Sequence, residues 1–266
     1  TKNENPRNFL PLVTNGLPTE GICENFIPWL DLFDQRAGNM EYFGHYYRGD
    51  PMGGTTIPIF SYVYNEYIGA YTAAYPECNR PEVLYWTRCL GKSLAQSVVP
   101  TGGKYFPEPR ELNPITIRFF KKVARAAASE CWPYLMFGRM LRPPKIQAPS
   151  IVASYCRFST DCDHMDPRNR HDVTDCAVQH GAWQGSDGTI ACVFVNVSEQ
   201  SVQCTIEFPQ YGLGNSECDA DLILDGVRTA WRRGITLPRS EQLDLPALSV
   251  ALIEIRPHTS RSRSVT

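Results

Sequence analysis

The chain has 266 residues, and its 26 basic and 28 acidic side chains give a formal net charge of −2, so no electrostatic feature points to nucleic acid. With 42% hydrophobic and 20% charged residues, it has the composition of a soluble globular protein of one large domain or two ordinary ones. No apolar run reaches the ~18 residues that cross a bilayer, so no membrane partner is expected.

The chain opens on polar residues without a Met or a signal peptide, as expected for a fragment or a processed protein. Residues 259–266, with Arg261 and Arg263, are expected to form a disordered tail. Ten cysteines are many for a cytosolic protein. They permit disulfides, and the triplet Asn196-Val197-Ser198 has the form of a glycosylation sequon. Both features favour an extracytoplasmic setting without fixing the compartment.

In chain order, residues 9–13 form a short apolar run closed by the turn signal Asn15-Gly16. Phe26, Ile27, Leu30 and Phe33 recur at helical spacing. Residues 57–67, IPIFSYVYNEY, are apolar and aromatic almost without a break, the pattern of a parallel strand covered on both faces. Amphipathic helices are predicted over 83–98 and 114–128, with a further helix over 132–140. The alternation of strand and helix predicts an α/β first part.

Of the 30 aromatic residues, 23 lie ahead of residue 146, and Leu141-Arg142-Pro143-Pro144 marks the change. Paired prolines cannot continue a helix and stiffen a connection, so a domain boundary is expected near 141–147. Beyond it, short Val- and Ile-rich runs stand at 150–158, 177–183, 189–197, 202–208, 221–224 and 249–255. Turn signals such as Ser186-Asp187-Gly188 separate them, which predicts an antiparallel β-sandwich over 146–258. The polar stretch 159–175 is expected to be a loop or insertion.

Four stretches could carry chemistry. Leu17-Pro18-Thr19-Glu20-Gly21-Ile22-Cys23-Glu24 follows a predicted strand and opens a predicted helix. Glu20 stands where a barrel enzyme places a catalytic group, at the C-terminal end of a strand. Equally, Glu20 and Glu24 suit the first turn of a helix, where the dipole favours carboxylates. Tyr64-Asn65-Glu66 closes the strongest predicted strand; it can bind sugar hydroxyls or supply an acid, or it can simply begin the next helix. Tyr47 and Asp50 lie in a glycine-rich aromatic loop, where tyrosine faces suit stacking on sugar rings and an ordinary surface loop would look the same. Cys156, Cys162, His164, His171 and Cys176 are metal-ligand types without compact metal spacing, so no metal is expected. Nucleophile-elbow, zincin, phosphate-loop and dinucleotide signatures are all absent, and no cofactor is expected.

Residues 17–34 (LPTEGICENFIPWLDLFD), 57–67, 134–144 (YLMFGRMLRPP) and 182–208 (AWQGSDGTIACVFVNVSEQSVQCTIEF) together resemble a family of glycoside-hydrolase-like (β/α)8-barrel proteins, defined by a domain of unknown function, that end in a β-sandwich. The resemblance implies α/β plus all-β architecture. Residues 1–145 would supply the C-terminal part of a TIM-like barrel, its last two or three β/α units, and residues 146–258 an accessory sandwich. It also implies hydrolysis of O-glycosidic bonds by paired carboxylates, with a carbohydrate as partner. Glu20 would be acid/base or nucleophile and Glu66 the second carboxylate, with Glu24, Tyr47, Asp50, Tyr64 and Asn65 as sugar contacts. Asn65 stands where the family pattern leads one to expect His. Alone, this chain would be inactive, because earlier barrel strands lie outside it. The alternative is a non-catalytic carbohydrate-binding or structural protein on a decayed barrel. Oligomeric state is open.

Overall fold

The computed structural model describes residues 32–34, 59–66, 69–72, 82–100, 113–156 and 170–258. About half of these residues lie in β-strands, with few helices. Strands β1 (Leu32–Asp34), β2 (Gly69–Thr72) and β3 (Val98–Pro100) form a parallel sheet in chain order. Helix α1 (Ile59–Tyr64) precedes β2, α2 (Val83–Ala95) crosses from β2 to β3, and α3 (Pro114–Ala128) follows β3. A parallel pair needs such a crossover, and helices supply it.

Helix α3 occupies the span its sequence predicts. Asn113 caps it, its side-chain oxygen accepting from the Ile115 and Thr116 N–H groups, and Pro114 takes the first-turn position that needs no N–H donor. Helix α2 is buried on every side from Tyr85 to Ala95, including Arg88 and Lys92. A helix covered all round lies between layers instead of on a surface.

Three predicted elements change. Phe33, expected at helical spacing with Phe26, Ile27 and Leu30, lies in strand β1. Within the run at 57–67, the described residues 59–66 are not a strand; they fold as α1, followed by a turn at 65–66. A short apolar run does not distinguish strand from helix by periodicity, and the buried residues decide it. Ser61 and Asn65, four apart, are buried, whereas Tyr62 and Val63 between them are exposed. The helix predicted over 132–140 stops after one turn, as α4 (Trp132–Leu135). Phe137 takes a left-handed φ of 65°, and Gly138 lies so close to the Tyr134 carbonyl that a Cβ would sit 1.9 Å from its oxygen. The chain then turns extended into β4 (Arg139–Leu141).

All later pairing is antiparallel. The strands are β5 (Lys145–Gln147), β6 (Ser150–Cys156), β7 (Arg170–Cys176), β8 (Val178–Gln184), β9 (Ile190–Asn196), β10 (Val202–Phe208), β11 (Cys218–Leu224), β12 (Val227–Ile235), β13 (Arg239–Leu245) and β14 (Ser249–Pro257). One sheet has six strands in the order β12-β11-β14-β9-β8-β4, a second has the order β13-β10-β5, and β6 and β7 form a separate ribbon. Strand β4, ahead of Pro143-Pro144, is therefore an edge of the six-stranded sheet. Part of the stretch expected as loop at 159–175 is strand β7, in which Val173 is buried between the exposed Asp172 and Thr174.

The six-stranded sheet is covered on both faces. On one, Ile190, Cys192, Phe194, Ile253 and Ile255 share a core with Cys204, Ile206, Phe208, Leu243 and Leu245 of the three-stranded sheet. On the other, Ala191, Val193, Val195 and Leu252 pack on Leu90 and Leu94 of α2 and on Phe119 and Val123 of α3. Strand β9, IACVFVN, is buried at all seven positions as a result, and its unbroken apolar run is the sequence form of that double cover.

Candidate functional site

Of the residues expected to act, Glu20, Glu24, Tyr47 and Asp50 lie outside the described residues. Tyr64, Asn65 and Glu66 stand at the C-terminal end of α1. The buried Asn65 side chain donates from Nδ2 to the carbonyls of Leu135 at 3.0 Å and Gly138 at 2.9 Å. Ser97 Oγ donates to the same Leu135 carbonyl. Asn65 thus fastens α1 to the bend between α4 and β4, where helix-end carbonyls need donors. Glu66, the next residue, is exposed. The described residues bring Asn65 and Glu66 together by sequence adjacency, one turned inward and the other to solvent.

Among the cysteine and histidine candidates, β6–β7 register decides the geometry. Cys156 is opposite Arg170 and Cys176 opposite Ser150, at the two ends of the ribbon. Six residues of strand separate them, about 20 Å, too far for one metal or one disulfide. Among the described residues, no group of three or more His, Cys, Asp or Glu gathers. Cys131, Cys176, Cys192, Cys204 and Cys218 are free thiols. Burial pushes Cys192 up to about 12 and Cys204 to about 11, and Cys131 higher still, so these are packing residues and poor nucleophiles.

The sequon is a structural corner. Asn196 is fully buried at the end of β9. Its Nδ2 lies within donating distance of the carbonyls of Gln200 at 2.8 Å, Leu245 at 3.2 Å and Pro246 at 2.8 Å, while Oδ1 accepts from the Ser198 N–H and hydroxyl. An oligosaccharide has no access to this nitrogen in the folded chain.

Two charged constellations are invisible in the sequence because their members are far apart in it. Glu254, buried on β14, accepts from Tyr134 Oη at 2.8 Å and from Arg228 at 2.6 and 3.1 Å, and pairs with Arg256. Burial pushes this carboxyl up, but hydrogen bonds from Arg228 and Tyr134 and the charges of Arg256 and Arg228 outweigh it, leaving it below its ordinary value. Its oxygens are occupied and it lines neither of the cavities below, so it anchors α4 on the sheet. The second constellation joins α2 to the β6–β7 ribbon: Arg88 Nε donates to Asp175 Oδ2 at 2.7 Å, and Tyr85 stacks on Tyr155 with centroids 4.6 Å apart.

A cavity of about 460 Å³ lies at one end of the three-stranded sheet. A smaller one of about 250 Å³ lies between α3 and the β11–β12 turn, where Lys122 bridges Asp225 and the Leu248 carbonyl. No helix among the described residues is long and apolar enough to cross a membrane.

No family model matches the chain, and no curated protein matches it. Its structural neighbours are glycoside hydrolases of low identity. The chain is similar to a GH27 β-L-arabinopyranosidase from Geobacillus stearothermophilus (TM-score 0.45, 10% identity, 94% of this chain and 51% of that one). It is also similar to the α-galactosidase I of Mortierella vinacea (TM-score 0.39, 10% identity, 86% and 54%) and to the GH51 arabinofuranosidase of Xanthomonas axonopodis pv. citri (TM-score 0.36, 13% identity, 74% and 43%). The chain spans about half the length of these enzymes. TM-scores below 0.5 do not fix its fold.

Proposed function

We propose that this chain supplies the last β/α units of a (β/α)8 barrel and an accessory β-sandwich to a glycoside-hydrolase-like protein that cleaves O-glycosidic bonds with paired carboxylates. The observation that carries the reading is the run β1–α1–β2–α2–β3–α3. Its three parallel strands neighbour one another in chain order, as successive barrel strands do, and its helices α2 and α3 lie under a two-sheet unit. In such a barrel the chemistry sits at the C-terminal strand ends. Glu20 is the residue in this chain best suited by sequence to act there, as acid/base or nucleophile. Glu66, expected as the second carboxylate, lies between α1 and β2 and so stands at the N-terminal end of a strand, away from that chemistry, which leaves the second carboxylate to another strand. The two-sheet unit covers the helices and carries no chemistry of its own in this reading.

The test is Glu20→Gln in the complete protein, measuring turnover of aryl glycosides and melting temperature together. Glutamine keeps the shape but neither ionises nor protonates a leaving group. The expected result is a loss of about 10²–10⁴-fold in turnover, the scale of acid–base catalysis, with the melting temperature nearly unchanged. A helix-dipole role would cost only about 0.3–1 kcal/mol of stability and leave turnover intact. A fully active variant defeats the assignment.

A further inference from the structure

Three strand ends converge at the larger cavity. Lys145 opens β5, Glu207 and Phe208 close β10, and Arg239 opens β13. The pairing register places Lys145 and Ser240 on either side of Glu207, in one row across the sheet. Arg142 reaches the same space from the β4–β5 connection, and Pro143, Pro209 and Pro238 form much of the wall. Prolines have a fixed φ and no N–H to satisfy, so such a rim is stiff and preformed.

The cavity lining carries three cations, Arg142, Lys145 and Arg239, against one carboxylate, Glu207, although the whole chain is net negative. These cations are only partly neutralised. Lys145 and Glu207 are a loose pair at 3.9 Å. Arg239 pairs through Nε with the buried Glu241, which fixes the guanidinium. Arg142 makes no ion pair among the described residues and is exposed. Phe208 adds to the lining and meets Trp231 edge to face at 6.2 Å. At about 460 Å³ the space is the size of a small-ligand site and holds a sugar ring.

We propose that this cavity binds a uronic acid residue of a carbohydrate. Its carboxylate sits between Arg142 and Arg239, whose planar guanidinium groups suit two-point carboxylate recognition. Its ring hydroxyls meet Glu207 and Ser240. The arginine arrangement by itself selects an anion; the choice of a sugar acid rests on the carbohydrate-active reading above.

The experiment titrates D-glucuronate, D-glucose and acetate separately into the full chain, following amide NMR shifts. Glucuronate is expected to shift residues of β5, β10 and β13, glucose to shift none, and acetate to bind at least tenfold more weakly than glucuronate. Arg142→Ala should weaken glucuronate by about tenfold to a hundredfold, the loss of one charge-assisted contact. Lys145→Ala should weaken it in the same direction. Both side chains are exposed, so the melting temperature should hold and report that the variants fold. Absence of glucuronate shifts, or shifts that survive both substitutions, overturns the site. Acetate binding as tightly as glucuronate, or glucose binding at all, overturns the sugar acid. Loss of the glycosidase reading through Glu20 would leave these titrations unaffected, so the two failures are distinguishable.

Discussion

Asp175→Asn isolates the contact that docks the β6–β7 ribbon on α2. The Arg88 side chain is 1% exposed and the Asp175 side chain 25%. Removing one partner of a buried pair takes a charge partner from the other, at about 3–5 kcal/mol. Because Asp175 keeps a solvent side, the lower end applies, about 3 kcal/mol. In urea, with a slope of about 3 kcal/mol per molar for a chain of this size, the midpoint should fall by about 1 M at pH 7. The pH dependence provides a second check. Burial pushes the Asp175 carboxyl up, but the charge of Arg88, the Cys176 N–H, and the charge of Lys92 outweigh it and hold it below its ordinary 3.8. A carboxyl depressed on folding stabilises above its unfolded value, and that stability is lost as pH falls through the folded value. The gap between wild type and Asp175→Asn should therefore be full at pH 7 and shrink below pH 3.8 as the wild-type carboxylate protonates. Other paired carboxylates weaken both proteins alike and cancel in the difference. Equal urea midpoints at pH 7, or a gap that stays constant down to pH 3, would refute the reasoning.

Two further substitutions probe the packing. Asn196→Ala removes the buried amide that donates to three carbonyls, that of Leu245 buried, and should cost about 1–3 kcal/mol, seen as a lower urea midpoint; an unchanged midpoint would mean the corner holds without it. Gly181→Ala forces a Cβ to within 2.1 Å of the Ala95 carbonyl oxygen, at the seam between α2 and β8. Overpacking of about 2–3 kcal/mol should lower the melting temperature by roughly 5–10 °C, and a variant as stable as wild type would show that the seam gives way freely.

What the sequence discloses depends on how a segment satisfies its own backbone. Helix α3 is legible to the residue because Asn113 and Pro114 mark its start chemically. Strands β9 and β10 are legible because their apolar patterns match two covered faces and one, respectively. Strands β7 and β12 are hidden because charged residues break their apolar pattern, Arg170, Asp172 and Asp175 in one and Arg228, Arg232 and Arg233 in the other, although each pairs with the strand just before it, β12 across the two-residue turn Asp225-Gly226. The strand expected at 57–67 fails for another reason: nothing local shows that Asn65 spends its amide on carbonyls about 70 residues away. Of the candidate site, Asn65 and Glu66 could be seen as polar residues ending an apolar run. That one turns inward depends on the bend after α4. The cationic cavity leaves no sequence trace, since Arg142, Glu207 and Arg239 meet only through sheet register.

The burial of α2 on all sides bears on how such a chain can be rearranged. Gly91 presses on Val197, Thr87 donates to the Val197 carbonyl at 2.7 Å, and Lys122 of α3 holds the β11–β12 turn. Cutting at the proline pair would strip β4 from its sheet and bare the apolar face of β9 to water. The later sheets are therefore not an interchangeable module. A chimaera that grafts them onto another scaffold must bring α2 and α3 with it, or find helices that present a glycine at the Val197 contact and a cation at the Asp225 turn.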